Sequence, residues 1–171
     1  MKTIVLMVMT LDGIIAKNSE QPNANWITKA DAKLFREKTR AAGVVVMGNN
    51  THKTLGRHLL ARLNIVMTRS PELQTSIPDQ LEFTSDEPKK ILADLAKRRF
   101  REVIICGGAE INSLFLLDDL IDELWVTIEP KLFGRGLGLF TDMNLDQNLE
   151  LITEPERLGK NSILVTYRII R

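Results

Sequence analysis

Cysteine is almost absent: Cys106 is the only one in 171 residues. No intramolecular disulfide and no cysteine-rich metal site can form. Long apolar runs are missing too. The longest near the N-terminus, Ile4 to Met9, is far too short to span a membrane. It has neither a long basic stretch before it nor a small-residue cleavage site after it, so it reads as a strand. The chain is expected to be cytoplasmic, with no membrane partner. No charge of one sign dominates: 23 Lys and Arg face 22 Asp and Glu, a net charge of +1. The basic excess of a dedicated nucleic-acid binder is lacking. No internal repeat, low-complexity tract or Pro/Ser/Gly linker divides the chain, so residues 1–171 are expected to form one domain. The composition is 44% hydrophobic and 26% charged. That suffices for a buried core and excludes disorder, collagen-like repeats and a pure coiled coil.

Short runs rich in Val and Ile are what the chain has instead. They are Thr3 to Met9, Val44 to Met47, Asn64 to Thr68, Val103 to Cys106, Leu124 to Glu129 and Ile163 to Ile170. Weaker ones are Leu81 to Thr84 and Leu149 to Thr153. Continuous apolar runs of this length fit strands buried on both faces. Helical spacing lies between them at Thr28 to Ala41, Pro88 to Arg98 and Ala109 to Leu117, and Pro88 suits a first helical turn. The alternation predicts an α/β fold with a mainly parallel sheet. After Asp118 strands follow with little helix, which predicts an antiparallel C-terminal hairpin at the sheet edge.

Ligands of open α/β sheets bind beyond the carboxyl ends of the strands. Three of those ends carry suggestive residues: Gly48-Asn49-Asn50-Thr51, Met67-Thr68-Arg69-Ser70, and Gly107-Gly108 before a helix. Bare glycine backbone and a helix N-terminus suit a pyrophosphate, and an arginine suits a further phosphate. A tight turn and a solvated arginine are the plain alternatives. The Rossmann fingerprint is missing; Gly134-Arg135-Gly136-Leu137-Gly138 has the wrong spacing and reads as a loop. Asp31 has two readings. Thr28-x-x-Asp31 is a capping box, yet Asp31, Leu34 and Phe35 share one apolar helix face, where a carboxylate needs a polar partner. His52 and His58, six residues apart with no Cys or acidic cluster, do not form a metal site. No metal is expected. Lys89-Lys90 and Lys97-Arg98-Arg99-Arg101 read as a solvated helix end.

Five short motifs occur in a particular order. Trp26, Asp31, Phe35 and Thr39 form the first, and Met47-Gly48-Asn49-Asn50-Thr51 the second. Arg62-Leu63-Asn64-Ile65-Val66-Met67-Thr68-Arg69 follows, then Gly107-Gly108-Ala109-Glu110-Ile111, then the strand residue Thr127. In order and spacing they resemble dihydrofolate reductase and its wider superfamily, from Thr3 to about Arg171. The resemblance implies a three-layer domain around a sheet of about eight strands and NADPH-dependent reduction of 7,8-dihydrofolate. It implies that Asp31 binds the pterin N3 and 2-amino group, supported by a hydrogen bond from Thr127. It places Val8, Phe35 and Leu59 on the substrate rings and Arg62 on the glutamate α-carboxylate. Ile15, Ala16 and Cys106 would line the nicotinamide pocket. Gly48, Asn49, Thr51, Gly107, Gly108 and Ala109 would hold the pyrophosphate, and Thr68 and Arg69 the 2′-phosphate. Hydride would pass to pterin C6, a water would supply the N5 proton, and Lys17 to Ala24 would form a lid.

Some positions depart from that pattern. Asn112, His52 and Asn49 replace a tyrosine, an aromatic and a basic residue. Thr10-Leu11-Asp12-Gly13-Ile14-Ile15-Ala16 and Glu129-Pro130-Lys131-Leu132-Phe133-Gly134-Arg135-Gly136 resemble the related riboflavin-pathway reductases. The alternatives are therefore a reductase of a ribosylaminopyrimidine phosphate or another pterin-like compound, and a catalytically silent nucleotide-binding module. A monomer is expected, with a homodimer left open.

Overall fold

A computed structural model describes residues 1–19, 26–144 and 146–171. Along the chain run β1 (Lys2–Thr10), β2 (Ile14–Ala16), α1 (Lys29–Ala42), β3 (Val44–Gly48), α2 (Asn49–Leu55), β4 (Leu63–Met67), β5 (Leu81–Thr84) and α3 (Pro88–Lys97). Then come β6 (Glu102–Ile105), α4 (Ala109–Leu117), β7 (Glu123–Glu129), β8 (Leu137–Gly138), β9 (Leu149–Leu151), β10 (Glu156–Leu158) and β11 (Ser162–Ile169).

The central sheet has the order β10-β11-β7-β1-β6-β3-β4-β5, with β9 also paired to β11. The strands from β7 to β5 are mutually parallel. β11 is antiparallel to β7, and β10 forms the expected C-terminal hairpin with β11 at the edge.

Side-chain alternation explains why the inner strands are apolar throughout. Val5, Val44, Val46, Ile65, Val103 and Ile105 face one core, where Ile91 and Leu95 of α3 and Phe115 of α4 cover them. Ile4, Leu6, Val45, Met47, Val66 and Ile104 face the other, under Phe35 and Ala42 of α1 and Leu55 of α2. Both faces are buried under helices, so both sets of alternate positions are mostly apolar, and a buried polar residue such as Asn64 is held by hydrogen bonds. The result is three layers.

One element is added and one expectation is corrected. Residues 49–51, noted only for following a strand, begin the helix α2. Its sequence NNTHKTL has little apolar spacing, and it is held by packing of Leu55 and closed by Gly56 at φ 69°. The 134–138 segment is not merely a loop: Leu137 and Gly138 pair with Ala16 and Ile14 in a small two-stranded ribbon. A ribbon this short has no periodic signal of its own.

Among the described residues no helix is long and apolar enough to cross a membrane, and no group of His, Cys, Asp and Glu is gathered to hold a metal ion. Most of the expected lid, residues 20–24, lies outside the described residues.

Candidate active site

A cleft of about 1180 Å³ opens along the carboxyl ends of β1, β3, β4, β5 and β6. Its walls include Val8, Ile15, Ala16, Asp31, Phe35, Gly48, Asn49, Thr51, Leu59, Arg62, Thr68, Arg69, Cys106, Gly108 and Ala109. Parallel strands explain this convergence: every strand end on one side delivers its following loop to the same edge. Of the residues expected at the site, Thr127 and Gly107 are not on the wall. Gly107 lies one layer back, where its carbonyl accepts from the Gly48 N–H at 2.8 Å and ties β6 to β3.

Asp31 sits in the first turn of α1. Thr28 is the N-cap, and its hydroxyl accepts from the Asp31 N–H at 3.3 Å. The Asp31 carboxyl is on the cleft wall, although the residue is only 5% exposed. Burial pushes its pKa up. The Thr127 hydroxyl opposes that shift, and the Glu129 charge adds to it. Thr127 is fully buried on β7, and its hydroxyl reaches no partner at hydrogen-bonding distance. Asp31 is the group on which that hydroxyl acts, lowering the carboxyl's pKa.

Arg62 lies at the far end of α1. Its Nε and Nη2 donate to the Leu60 carbonyl at 3.0 and 2.9 Å, and its Nη1 donates to the Thr39 hydroxyl. Of the five guanidinium N–H groups, two are left for a ligand. Burial draws the Arg62 pKa down, and the charges of Arg40 and Arg36 add to that effect. Arg36, Arg40 and Arg57 are also on the cleft wall, and none has an ion pair with a carboxylate among the described residues. Sequence reasoning missed Arg36 and Arg40. Their only signal was i, i+4 spacing beyond Ala32, on a helix ridge other than the one that carries Asp31, Phe35 and Thr39. Along the helix axis Arg36 lies about 7.5 Å from Asp31 and Arg40 about 13.5 Å, at 1.5 Å per residue.

The other half of the cleft holds hydroxyls and bare backbone. Thr51, Thr68, Ser70, Thr84 and Ser85 line it together with Arg69. Gly108 is the N-cap of α4 and offers no side-chain cap, so the N–H groups of that first turn face outward. Glu110, in that turn, adds one carboxylate with no ion pair among the described residues to the same wall. Asn112 and His52, the departures noted above, stand behind the wall. Asn112 donates to the Leu139 carbonyl at 2.8 Å, and His52 packs edge-on against Phe83.

The two stretches that resembled riboflavin-pathway reductases prove to be one unit. The Asp12 carboxylate accepts from the Phe133 and Gly134 N–H groups at 3.0 and 2.7 Å, and β2 pairs with β8. Together they hold Ile15 and Ala16 against the cleft.

A strand-end cleft with a buried carboxylate at one end and phosphate-suited donors at the other marks an oxidoreductase of the dihydrofolate-reductase-like class. The dihydrofolate reductase family profile matches residues 2–154, and the chain belongs to that family. A dihydrofolate reductase of Haemophilus influenzae is 30% identical over 131 residues, covering 76% of this chain and 74% of that protein. The structure of Enterococcus faecalis dihydrofolate reductase complexed with NADP(H) superposes with a TM-score of 0.74 at 22% identity, covering 99% and 97% of the two chains. A Thermotoga maritima diaminohydroxyphosphoribosylaminopyrimidine deaminase/5-amino-6-(5-phosphoribosylamino)uracil reductase gives a TM-score of 0.81 at 20% identity. That match covers 99% of this chain and 56% of the other. At these identities the two structures speak for the fold.

Proposed function

We propose that the protein transfers hydride from NADPH to 7,8-dihydrofolate. The observation that carries the reading is Asp31, a buried carboxylate on the cleft wall with no cation paired to it among the described residues. Such a group is costly unless a ligand supplies donors. A 2-amino-4-oxo pterin offers two adjacent N–H groups to the two carboxylate oxygens. Phe35, Val8 and Leu59 give the ring flat apolar walls. The spacing along α1 supports the length of the substrate: Thr39, to which Arg62 is anchored, lies about 12 Å from Asp31. A pterin joined through an aminobenzoyl ring to a glutamate is an object of that length with its charge at the far end.

The donor set fits NADPH. Hydroxyls, outward N–H groups and the Arg69 guanidinium suit phosphate oxygens, and Gly108 leaves backbone uncovered beside Thr51. Thr68 and Arg69 would hold the 2′-phosphate; Gly48, Asn49, Thr51, Gly108 and Ala109 would hold the pyrophosphate. Ile15, Ala16 and Cys106 would flank the nicotinamide. The cofactor supplies the hydride. The protein aligns the two rings, excludes water from between them and fixes the pterin through Asp31. Among the described residues the other carboxyl near Asp31, Glu129, is tied to Thr28 and Ser162 and does not line the cleft, so the N5 proton would come from water.

One observation favours a second reading. Arg36, at about 7.5 Å, is well placed for the phosphate of a shorter ribosylaminopyrimidine substrate. The test is NADPH oxidation by the purified protein with either substrate class. Turnover that requires dihydrofolate and is lost in Asp31→Asn supports the first reading. Turnover with the ribosylaminopyrimidine phosphate alone overturns it in favour of the second, and NADPH binding with no turnover points to a silent module.

A further inference from the structure

The capping box at the start of α1 is only half closed. Thr28 accepts from the Asp31 N–H, but the return bond, from the Thr28 N–H to the carboxylate of residue 31, is not made. The Thr28 N–H donates instead to Oε1 of Glu129, 2.9 Å away and 101 residues along the chain. Glu129 follows Thr127 by two residues on β7, so both point to the same side of the sheet. Its Oε2 accepts from the Ser162 hydroxyl of β11 at 2.7 Å. Glu129 is 1% exposed, and no lysine or arginine pairs with it among the described residues. Thr10 of β1, its register partner, donates its hydroxyl to Asp12 instead.

A carboxylate at residue 31 can serve the helix cap or a ligand, but not both. We propose that Glu129 is a positioning residue: by taking the Thr28 N–H it replaces Asp31 in the cap and leaves the Asp31 carboxylate to the substrate ring. This rests on the reading of Asp31 as the group that binds that ring. The family resemblance includes Asp31 and Thr127; Glu129 adds a second buried carboxylate beneath them. Its two partners, Thr28 at the start of α1 and Ser162 on β11, fix the helix end to the sheet in one orientation. The same arrangement explains why the Glu129 charge acts on Asp31 without any hydrogen bond between them.

The experiment measures 7,8-dihydrofolate and NADPH affinity for the wild type and for Glu129→Gln, Glu129→Ala, Asp31→Ala and the double variant Asp31→Ala/Glu129→Ala. Gln keeps an acceptor oxygen for the Thr28 N–H and is expected to bind dihydrofolate nearly as the wild type does. Ala leaves that N–H without a partner and draws Asp31 back to the cap. Dihydrofolate affinity should then fall about tenfold or more, with NADPH affinity unchanged. The effect of Glu129→Ala should vanish in the Asp31→Ala background, because the two residues act through one bond. Wild-type dihydrofolate affinity in Glu129→Ala, with weak binding in Asp31→Ala, overturns the role of Glu129 and leaves that of Asp31 standing. Undiminished affinity in Asp31→Ala overturns both. If Glu129→Ala does not fold, Glu129→Asp, whose shorter side chain cannot span Thr28 and Ser162, carries the same comparison: selective loss of dihydrofolate affinity supports the role, and wild-type affinity for both ligands overturns it.

Discussion

Gly136 presses against the Ala16 carbonyl: a Cβ at residue 136 would lie 2.3 Å from that oxygen and 2.5 Å from the Ile14 side chain. The contact holds the ribbon of β2 and β8 closed and sets the position of Ile15 and Ala16 on the cleft wall. Gly136→Ala should force the ribbon apart. Expected is a rise of about tenfold or more in the NADPH KM, with little loss of thermal stability, since the ribbon lies outside the main sheet. Steady-state kinetics and a melting curve check both. An unchanged KM would show that the ribbon does not set that wall.

Asp31 gives a stability prediction with a definite sign. Its pKa is raised in the folded protein, first by burial. The folded state therefore holds the proton more tightly than the unfolded chain does. Stability falls as pH rises from the ordinary aspartate value through the raised one. Asp31→Asn removes the buried charge, so its melting temperature should exceed that of the wild type at pH 7. The difference should close below about pH 3.8. Turnover should fall by orders of magnitude in the same variant, with NADPH affinity kept. A variant less stable than wild type at pH 7 would mean that Asp31 serves the helix rather than the ligand.

At the far end of α1, the arginines should separate by role. Arg62→Ala removes the proposed ligand contact and also the bonds to Leu60 and Thr39, so it should lower both substrate affinity and stability. The affinity loss expected for a charged hydrogen bond is about 1.5–3 kcal/mol. Arg40→Gln removes a charge that pairs with no carboxylate among the described residues. It should raise the dihydrofolate KM severalfold with the melting temperature unchanged, and added salt should shrink the difference. A KM identical to wild type at low salt would exclude Arg40 from the site.

On the cofactor wall two substitutions should act in opposite directions. Arg69→Ala should narrow the preference for NADPH over NADH, because the additional phosphate loses its cation. Glu110→Gln removes a carboxylate from the wall proposed to face the phosphates and should tighten NADPH binding by a few-fold. Titrations with both cofactors measure each. An unchanged NADPH/NADH ratio in Arg69→Ala contradicts its assignment to the 2′-phosphate.

Cys106 should be chemically quiet. Burial pushes its thiol up to about 12, although the Arg62 charge pulls the other way. Little thiolate exists at pH 8, so alkylation by iodoacetamide should be slow, and slower still with NADPH bound. Rapid labelling of the folded protein would place Cys106 outside the nicotinamide pocket.

Much of the fold was legible because inner parallel strands must be apolar on both faces. Val44 to Met47 and Val103 to Cys106 could be read directly for that reason. The capping of α1 by Thr28 and the start of α3 at Pro88 were equally local matters. Helix α2 was not legible: its seven residues lack a periodic apolar face, and tertiary packing of Leu55 overrides their weak propensity. The ribbon of β2 and β8 was missed because its strands are too short to show alternation.

The sequence by itself determined the α/β architecture and the glycines and hydroxyls at the strand ends, since these depend on local pattern and on the geometry common to all parallel sheets. It also brought Asp31, Arg62 and Arg69 forward as candidates. It could not decide whether Asp31 caps a helix or faces a ligand, because a capping box and a binding carboxylate are written with the same residues. The tertiary structure brings Glu129 to the Thr28 N–H, so that N–H is satisfied without the Asp31 carboxylate. The structure likewise turned Arg36 and Arg40 from ordinary helix-surface charges into one wall of a cleft with Arg62. Both outcomes depend on contacts between segments far apart in the chain, which no local spacing encodes.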